Sequence, residues 1–282
     1  LFFGDKSGTV MESLIKPTNL LLDAMDSVGF KGNFFIDWLM LKFLKEENTN
    51  RTNADYTLIV EQLQDMVRRG HRIELHIHPH WVDAKYKGDG TWDFSEFKHY
   101  SLNSFSEPDI VKMFVEGTNL LTNIAREIDP EYMIVAFRAG GWAVQPFEKL
   151  KKGFQSAGIK IDSSVAYGVY GKNQYSFYDF RTICTNNDYA YRFSDDVANE
   201  DIAGEFLEIP ISTYRRTIIN KIVDKLFRIL SPTSKVISDG SHHRRDLLVQ
   251  GKPLRSMVTL SKISPFSSLL SIFLQSTPLI TV

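Results

Sequence analysis

Short apolar runs alternate along the chain with longer segments of helical periodicity. Between residues 55 and 69, apolar side chains recur every three or four positions, and Gly70 follows where a helix needs a C-terminal cap. The next run, residues 72–77, is short and rich in β-forming side chains, which is typical of a strand. This order of helix, glycine and strand predicts one unit of an α/β fold.

The same reading predicts the remaining elements. Further helices are expected over residues 17–29, 38–45, 108–128, 146–157, 217–230 and 264–275, and further strands over residues 1–3, 33–36, 133–137, 159–163, 206–211 and 279–282. Residues 165–200 show no clear period. Repeated strand–helix units predict a mainly parallel sheet with helices outside it, open or closed into a barrel, with a site at the carboxyl ends of the strands. No composition break divides residues 1–282, so we expect one domain.

Composition and the chain ends narrow the classes of function. The chain has 33 basic and 34 acidic residues, a balance that gives no support for a nucleic-acid partner. Cys184 is the only cysteine, no signal peptide is visible, and Gln275 and Pro278 interrupt the most apolar stretch, so we expect no disulfide, no transmembrane segment and a cytoplasmic location. Both ends read as strands cut in the middle, which predicts a fragment. The oligomeric state is left open.

Three histidines within five residues, His76, His78 and His80, follow the strand at 72–77. Neutral imidazole is the commonest nitrogen ligand for zinc, and Pro79 ends the strand so that His80 can turn back toward the other two rings. A hydrogen-bonded polar cluster is the alternative interpretation. We favour a divalent metal site here, with zinc as the metal.

Polar residues also end neighbouring strands. Arg138 follows an apolar run and precedes Gly140, Gly141 and Trp142, where the two glycines allow close approach of a ligand to backbone amides. Three carboxylates lie at comparable strand ends, namely Asp37, Asp162 and Glu208. Together these residues would surround the histidines with groups that a hydrolytic metal site uses.

With these motifs in place, the chain resembles the polysaccharide deacetylase family of carbohydrate esterases, especially the deacetylase-like proteins of bacterial surface polysaccharide synthesis. The resemblance runs in order through 33–36, 70–76, His80, 137–140, 162–164 and 208–210. It implies a distorted (β/α) barrel of about seven strands, cut at both ends, that removes an N-acetyl group from a sugar. It also implies that His76 and His80 bind the metal and that Arg138 supports the catalytic carboxylate.

Further roles are assigned within this resemblance. Asp162 is expected to be a second catalytic residue, and His78 and Asp37 additional metal ligands or supports of the ligands. Gly140 and Gly141 would stabilise the oxyanion, and three tryptophans would contact substrate, namely Trp142, Trp81 and Trp92. An aromatic plug over the barrel is the alternative for residues 87–102, the loop that contains Trp92.

The chain departs from the family pattern in two places. The family carries paired acids on its first strand, whereas Asp5 comes after the run at 1–3 and Asp37 lies on another strand. The family's late-strand histidine has no counterpart, because His242 and His243 fall in a polar loop. Truncation and a catalytically inactive, carbohydrate-binding relative both explain these gaps. A metal hydrolase of the amidohydrolase or phosphoesterase type is a further alternative.

Overall fold

The computed structural model describes residues 9–96, 98–183 and 189–211, together with Thr213, Tyr214, Ile222, Leu226, Ser256 and Met257. The predicted end strands, Asp5, Cys184, His242, His243 and the helix at 264–275 lie outside these residues. Of the helix expected over 217–230, the two described positions, Ile222 and Leu226, are helical.

The α-helices among the described residues begin and end close to the predicted bounds. They are α1 (Lys16–Ser27), α2 (Trp38–Glu47), α3 (Asn50–Arg68), α4 (Glu107–Arg126) and α5 (Glu148–Ala157). The start of α3 was predicted five residues too late, because Thr49 and Thr52 form a reciprocal capping box that extends the helix beyond its apolar stripe. Among these residues no helix combines the length and the apolar character that crossing a membrane requires.

Half of the strands in the described part of the chain belong to one sheet. The strands are β1 (Asn33–Asp37), β2 (Arg72–Ile77), β3 (Lys85–Tyr86), β4 (Trp92–Asp93), β5 (Ala136–Ala139), β6 (Ile161–Asp162), β7 (Tyr170–Lys172), β8 (Phe177–Asp179), β9 (Tyr191–Phe193), β10 (Phe206–Glu208), β11 (Thr213–Tyr214) and β12 (Ser256–Met257). Six of them form a sheet in the order β1-β2-β5-β6-β10-β9, in which only β9 runs antiparallel to its neighbour. The α/β class and the mainly parallel sheet are thereby confirmed, whereas closure into a barrel stays a prediction.

The two faces of β2 show how the sheet is built. Ile73, Leu75 and Ile77 are fully buried, while the alternate positions carry Arg72, Glu74 and His76. On the apolar face, phenylalanines fill the space between the strands and helices α4 and α5, namely Phe114, Phe137, Phe147, Phe154 and Phe206. The other face is polar, so the chemistry-bearing side chains of β2 point away from these two helices.

The strand predicted over 133–137 lies further along the chain. Met133 is 59% exposed, and β5 begins at Ala136. Glu74 explains this start, because its carboxylate accepts the backbone N–H groups of Val135 and Ala136 at 2.9 Å each. The aperiodic stretch 165–200 contains the β7–β8 hairpin and β9, which the sequence pattern did not predict.

Candidate metal and acyl-transfer site

A row of polar residues crosses the carboxyl ends of β1, β2 and β5. Asp37 pairs in register with His76, and His76 pairs with Arg138. In-register residues of parallel strands share a face, so these three side chains lie side by side on the polar face. The sequence therefore predicted correctly that the strand ends bring these residues together.

His76 is held by the neighbouring strand. Its Nδ1 lies 2.6 Å from the carbonyl oxygen of Arg138. Because a carbonyl oxygen only accepts hydrogen bonds, Nδ1 carries the proton and donates it, which leaves the lone pair of the neutral ring on Nε2. A histidine oriented in this way by a backbone carbonyl is a typical metal ligand.

The other two histidines pack against the first. The ring centroids of His76 and His78 are 4.5 Å apart, those of His78 and His80 are 5.1 Å apart, and both pairs meet edge to face. Pro79 starts a short 3-10 helix, Pro79–Asp83, which turns His80 back toward the strand end. Burial lowers the pKa of His76 and of His80 to about 3, so both rings are neutral at physiological pH, as metal ligation requires.

Asp37 adds a buried carboxyl group beside His76. One oxygen, Oδ1, accepts the backbone N–H of His78 at 3.2 Å. The other, Oδ2, is buried, and the indole Nε1 of Trp81 and the backbone N–H of Leu39 lie toward this carboxyl group. Burial raises the pKa of Asp37 to about 7. A buried carboxyl group next to neutral imidazoles fits a divalent cation in donor chemistry.

The donor set is nevertheless incomplete in the part of the chain that the structure describes. Within residues 9–96, 98–183 and 189–211, no three histidine, cysteine, aspartate or glutamate side chains are arranged to hold a metal ion together. The residues therefore fit a metal in kind, as two imidazoles and a carboxylate, but not as a closed set of ligands.

Arg138 is fixed by the next strand. Its Nε donates to the carbonyl oxygen of Ser163 at 2.7 Å, and its Nη2 donates to the Ser163 hydroxyl at 2.8 Å. The guanidinium also lies over the ring of Phe35, 4.3 Å from the ring centroid. Burial lowers the pKa of Arg138, while Asp162 and Glu208 act against that shift. The arginine is thus a positioned cation on the same face as His76.

Asp162 is not brought together with the histidines. It pairs in register with Phe137 on one side and with Glu208 on the other, one residue out of step with the row that contains Arg138. Successive strand residues alternate between faces, so Asp162 and Glu208 lie on the apolar face of the sheet. Asp162 accepts hydrogen bonds from the Ser164 hydroxyl at 2.7 Å and the Ser164 N–H at 3.3 Å.

Asp162 and Glu208 form a fully buried pair of carboxyl groups. Neither side chain is accessible, and the two groups are within hydrogen-bonding reach of each other. Burial raises the pKa of Asp162, and burial together with the charge of Asp162 raises that of Glu208. One carboxyl group therefore holds a proton, and the pair carries about one negative charge, which balances Arg138.

The two glycines after Arg138 are packed tightly. A Cβ atom at Gly140 would lie 2.5 Å from the carbonyl oxygen of Ile77 and 3.2 Å from His78 Nδ1. Gly141 has a φ of +57°, and a Cβ there would lie 2.7 Å from the Tyr100 hydroxyl. Gly140 thus brings backbone close to His78 and Gly141 brings it close to Tyr100, while the predicted contact of their amides with a substrate oxyanion stays a prediction.

The predicted tryptophans fall into two groups. Trp81 is inaccessible and Trp92 is 3% exposed, and their rings pack edge to face with centroids 5.2 Å apart. The burial of Trp92 favours the aromatic plug over sugar contact for the loop that contains it, and the burial of Trp81 also disfavours sugar contact. Trp142, by contrast, is partly exposed and contacts Tyr178.

The role of Tyr100 as a neighbour of the histidines was not predicted. Its ring stacks on His80 with centroids 6.0 Å apart and planes 20° apart. The sequence signal was limited to an aromatic-rich loop, and nothing in its spacing indicated which ring would reach His80. His99, which precedes Tyr100, contacts both carboxylate oxygens of Asp83 at 2.9 Å, and Asp83 ends the short helix that carries His80.

Comparisons of the chain with protein-family models, curated proteins and solved structures found no match.

Proposed function

We propose that this protein is a metal-dependent hydrolase that removes an N-acetyl or other acyl group from a sugar of a bacterial surface polysaccharide or its precursor. The observation that carries the proposal is the orientation of His76: its Nδ1–H is committed to the Arg138 carbonyl, and its Nε2 is left as a ligand beside Asp37. The resemblance in sequence to polysaccharide deacetylases supplies the substrate class. It also supports a distorted barrel.

His76 and His80 would hold a divalent cation, with zinc as the first expectation, and His78 or Asp37 would complete or support the ligands. When bound, such an ion supplies Lewis acidity toward a carbonyl oxygen and lowers the pKa of water. The chain's own contribution starts with neutral imidazoles that need no deprotonation before they bind.

Other residues act on the substrate. The backbone amides near Gly140 and Gly141 would donate to the oxygen on which negative charge develops. Arg138, fixed by Ser163, would present its cation to the catalytic carboxylate that the resemblance implies. Asp162 and Glu208 act through Arg138 by balancing its charge from the opposite face of the sheet.

The single cysteine, Cys184, favours a reducing compartment such as the cytoplasm.

The test is elemental analysis of protein purified without a metal-affinity tag, followed by assays of acetate release from N-acetylated oligosaccharides. We expect about one zinc-like ion per chain and release of acetate that a chelator abolishes and added zinc restores. Metal binding with release of phosphate from phosphoesters, but no acetate, would instead indicate a phosphoesterase. Protein that neither binds metal nor hydrolyses any acylated sugar would refute the proposal.

A further inference from the structure

Trp142 has a backbone conformation that tryptophan rarely adopts. Its φ is +59°, in the left-handed region, directly after Gly141 at +57°. Glycine adopts this region without strain, whereas a residue with a Cβ does not. Glycine at position 142 would therefore form this turn with less backbone strain. Strained residues of this kind cluster at ligand sites, where the surrounding structure maintains them. The turn therefore does not explain why position 142 carries a tryptophan, whereas ligand binding would.

The indole of Trp142 rests on a rigid base. It meets the ring of Tyr178 edge to face, with centroids 5.7 Å apart. Tyr178 is 5% exposed and stacks on Phe180 with ring centroids 5.5 Å apart. Buried rings therefore fix the position of Trp142, while its own side chain stays partly exposed.

Trp142 is also connected to the histidines. Gly141 packs against Tyr100, and Tyr100 stacks on His80. The aromatic arc (His80, Tyr100, Trp142 and Tyr178) thus runs from the candidate metal ligands to a partly exposed indole at the carboxyl end of β5. The other tryptophans, Trp38, Trp81 and Trp92, are each at most 3% exposed, so Trp142 is the tryptophan that can meet a ligand.

We propose that Trp142 is a stacking platform for the pyranose ring of an N-acetylated sugar, next to the candidate metal site. The occupant follows from the proposed function, on which this inference rests, and from the chemistry of the ring: an indole buries an apolar face and leaves hydroxyl groups at the edge of a sugar in water. The platform deepens the proposed function by assigning recognition of the sugar to Trp142 rather than to the buried Trp81 and Trp92.

The experiment measures binding without catalysis. The full chain, stripped of metal with a chelator, is titrated with a β-1,4-linked trisaccharide of N-acetylglucosamine, followed by tryptophan fluorescence and by calorimetry. We expect W142A and W142G to weaken binding about tenfold or more, and W142F to stay within about threefold of wild type. Because W142G also relieves the left-handed strain, loss of binding in that variant reports the ring and not the turn.

Phe30 supplies the control. It is 67% exposed and precedes the amino end of β1, whereas the site lies at the carboxyl ends of the strands. F30A therefore removes an exposed aromatic ring without touching the platform. Binding by W142A and W142G equal to that of wild type would overturn the proposal. So would a failure of wild type to bind the trisaccharide, or binding of uridine diphosphate alone, which would point to a nucleotide base on the ring.

Acetate release by the metal-loaded variants separates this inference from the function on which it rests. Binding that depends on Trp142 without hydrolysis by wild type would refute the hydrolase and retain the sugar platform. Hydrolysis that W142G leaves unchanged in kcat/KM would retain the hydrolase and refute the platform.

Discussion

The Nδ1 atom of His76 lies 2.6 Å from the carbonyl oxygen of Arg138, so the strand beside the histidines decides which ring nitrogen faces the site. The side chain of the same arginine is fixed in turn by the carbonyl and hydroxyl oxygens of Ser163. These contacts couple the ends of β2, β5 and β6 into one arrangement, in which the Arg138 carbonyl orients the candidate ligand His76 and Ser163 positions the Arg138 cation.

The metal content of histidine variants tests the first part of this arrangement. His76→Ala and His80→Ala should each lower metal to about a tenth of the wild-type value or less, because removing one of two imidazoles from an incomplete set leaves too few donors. The measurement is elemental analysis of tag-free protein, with circular dichroism to verify folding. His71→Ala serves as the control, since His71 contacts Gly32 and Asp26 before the amino end of β2, away from the cluster, and it should retain metal. Full metal in both site variants would exclude these histidines as ligands.

Substitution of Arg138 should separate catalysis from metal binding. Arg138→Lys keeps a positive charge but cannot direct two fixed N–H groups at Ser163, so we expect kcat to fall about a hundredfold with metal content unchanged. Ser163→Ala removes only the hydroxyl acceptor and should cost about tenfold or less. Acetate release by metal-loaded protein measures both. Equal turnover of wild type and Arg138→Lys would remove the arginine from the site.

The candidate site was predictable where strand ends could be read from the sequence. The bounds of β2 were predicted correctly, because apolar residues alternate with polar ones from Arg72 onward and Gly70 marks the preceding helix end. Once these bounds are known, the parallel arrangement of the strands is enough to place His76 and Arg138 together at the carboxyl ends of β2 and β5.

The face on which Asp162 lies was not predictable in the same way. The run 159–163 alternates apolar and polar residues, but alternation alone does not fix how the strand pairs, and a shift of one residue in strand pairing exchanges the two faces of a sheet. Only the observed pairing of Phe137 with Asp162 shows that this carboxyl group lies on the face of the sheet that His76 does not share. The contact of Tyr100 with His80 also depends on how a loop folds back over twenty residues, for which local periodicity carries no signal.

The buried pair Asp162–Glu208 predicts a pH dependence of stability. Both pKa values are raised in the folded protein, so above about pH 4 the folded state retains a proton that the unfolded chain releases. Stability contributed by this pair is therefore present at low pH and is lost as the pH rises. Glu208→Gln removes one titrating carboxyl group and keeps the shape, so its stability relative to wild type should increase between pH 4.5 and 7.5, by on the order of 1 kcal/mol or more.

Denaturant unfolding at several pH values gives the comparison. Glu205→Gln is the control, because Glu205 is exposed and lies 3.5 Å from Lys160 at the surface, and its curve should run parallel to that of wild type. Glu208→Ala, which leaves Asp162 without its partner, should instead destabilise the fold by about 2–4 kcal/mol. A difference between Glu208→Gln and wild type that stays constant with pH would contradict the shared proton.

Gly140 tests whether the end of β5 sets the position of the histidines. Its Cβ position is 2.5 Å from the carbonyl oxygen of Ile77, a backbone atom that cannot rotate away, and 3.2 Å from His78 Nδ1. Gly140→Ala should therefore push β5 from β2, lower the free energy of unfolding by about 1–3 kcal/mol and weaken metal binding, because the His76–Arg138 hydrogen bond spans the same gap. Gly158→Ala is the matched control: a Cβ there meets open space, but its φ of +71° makes alanine strained. That variant should lose about 1 kcal/mol of stability and keep its metal affinity. Equal metal affinity in the two variants at their different stabilities would show that the histidines keep their positions without the close contact of β5.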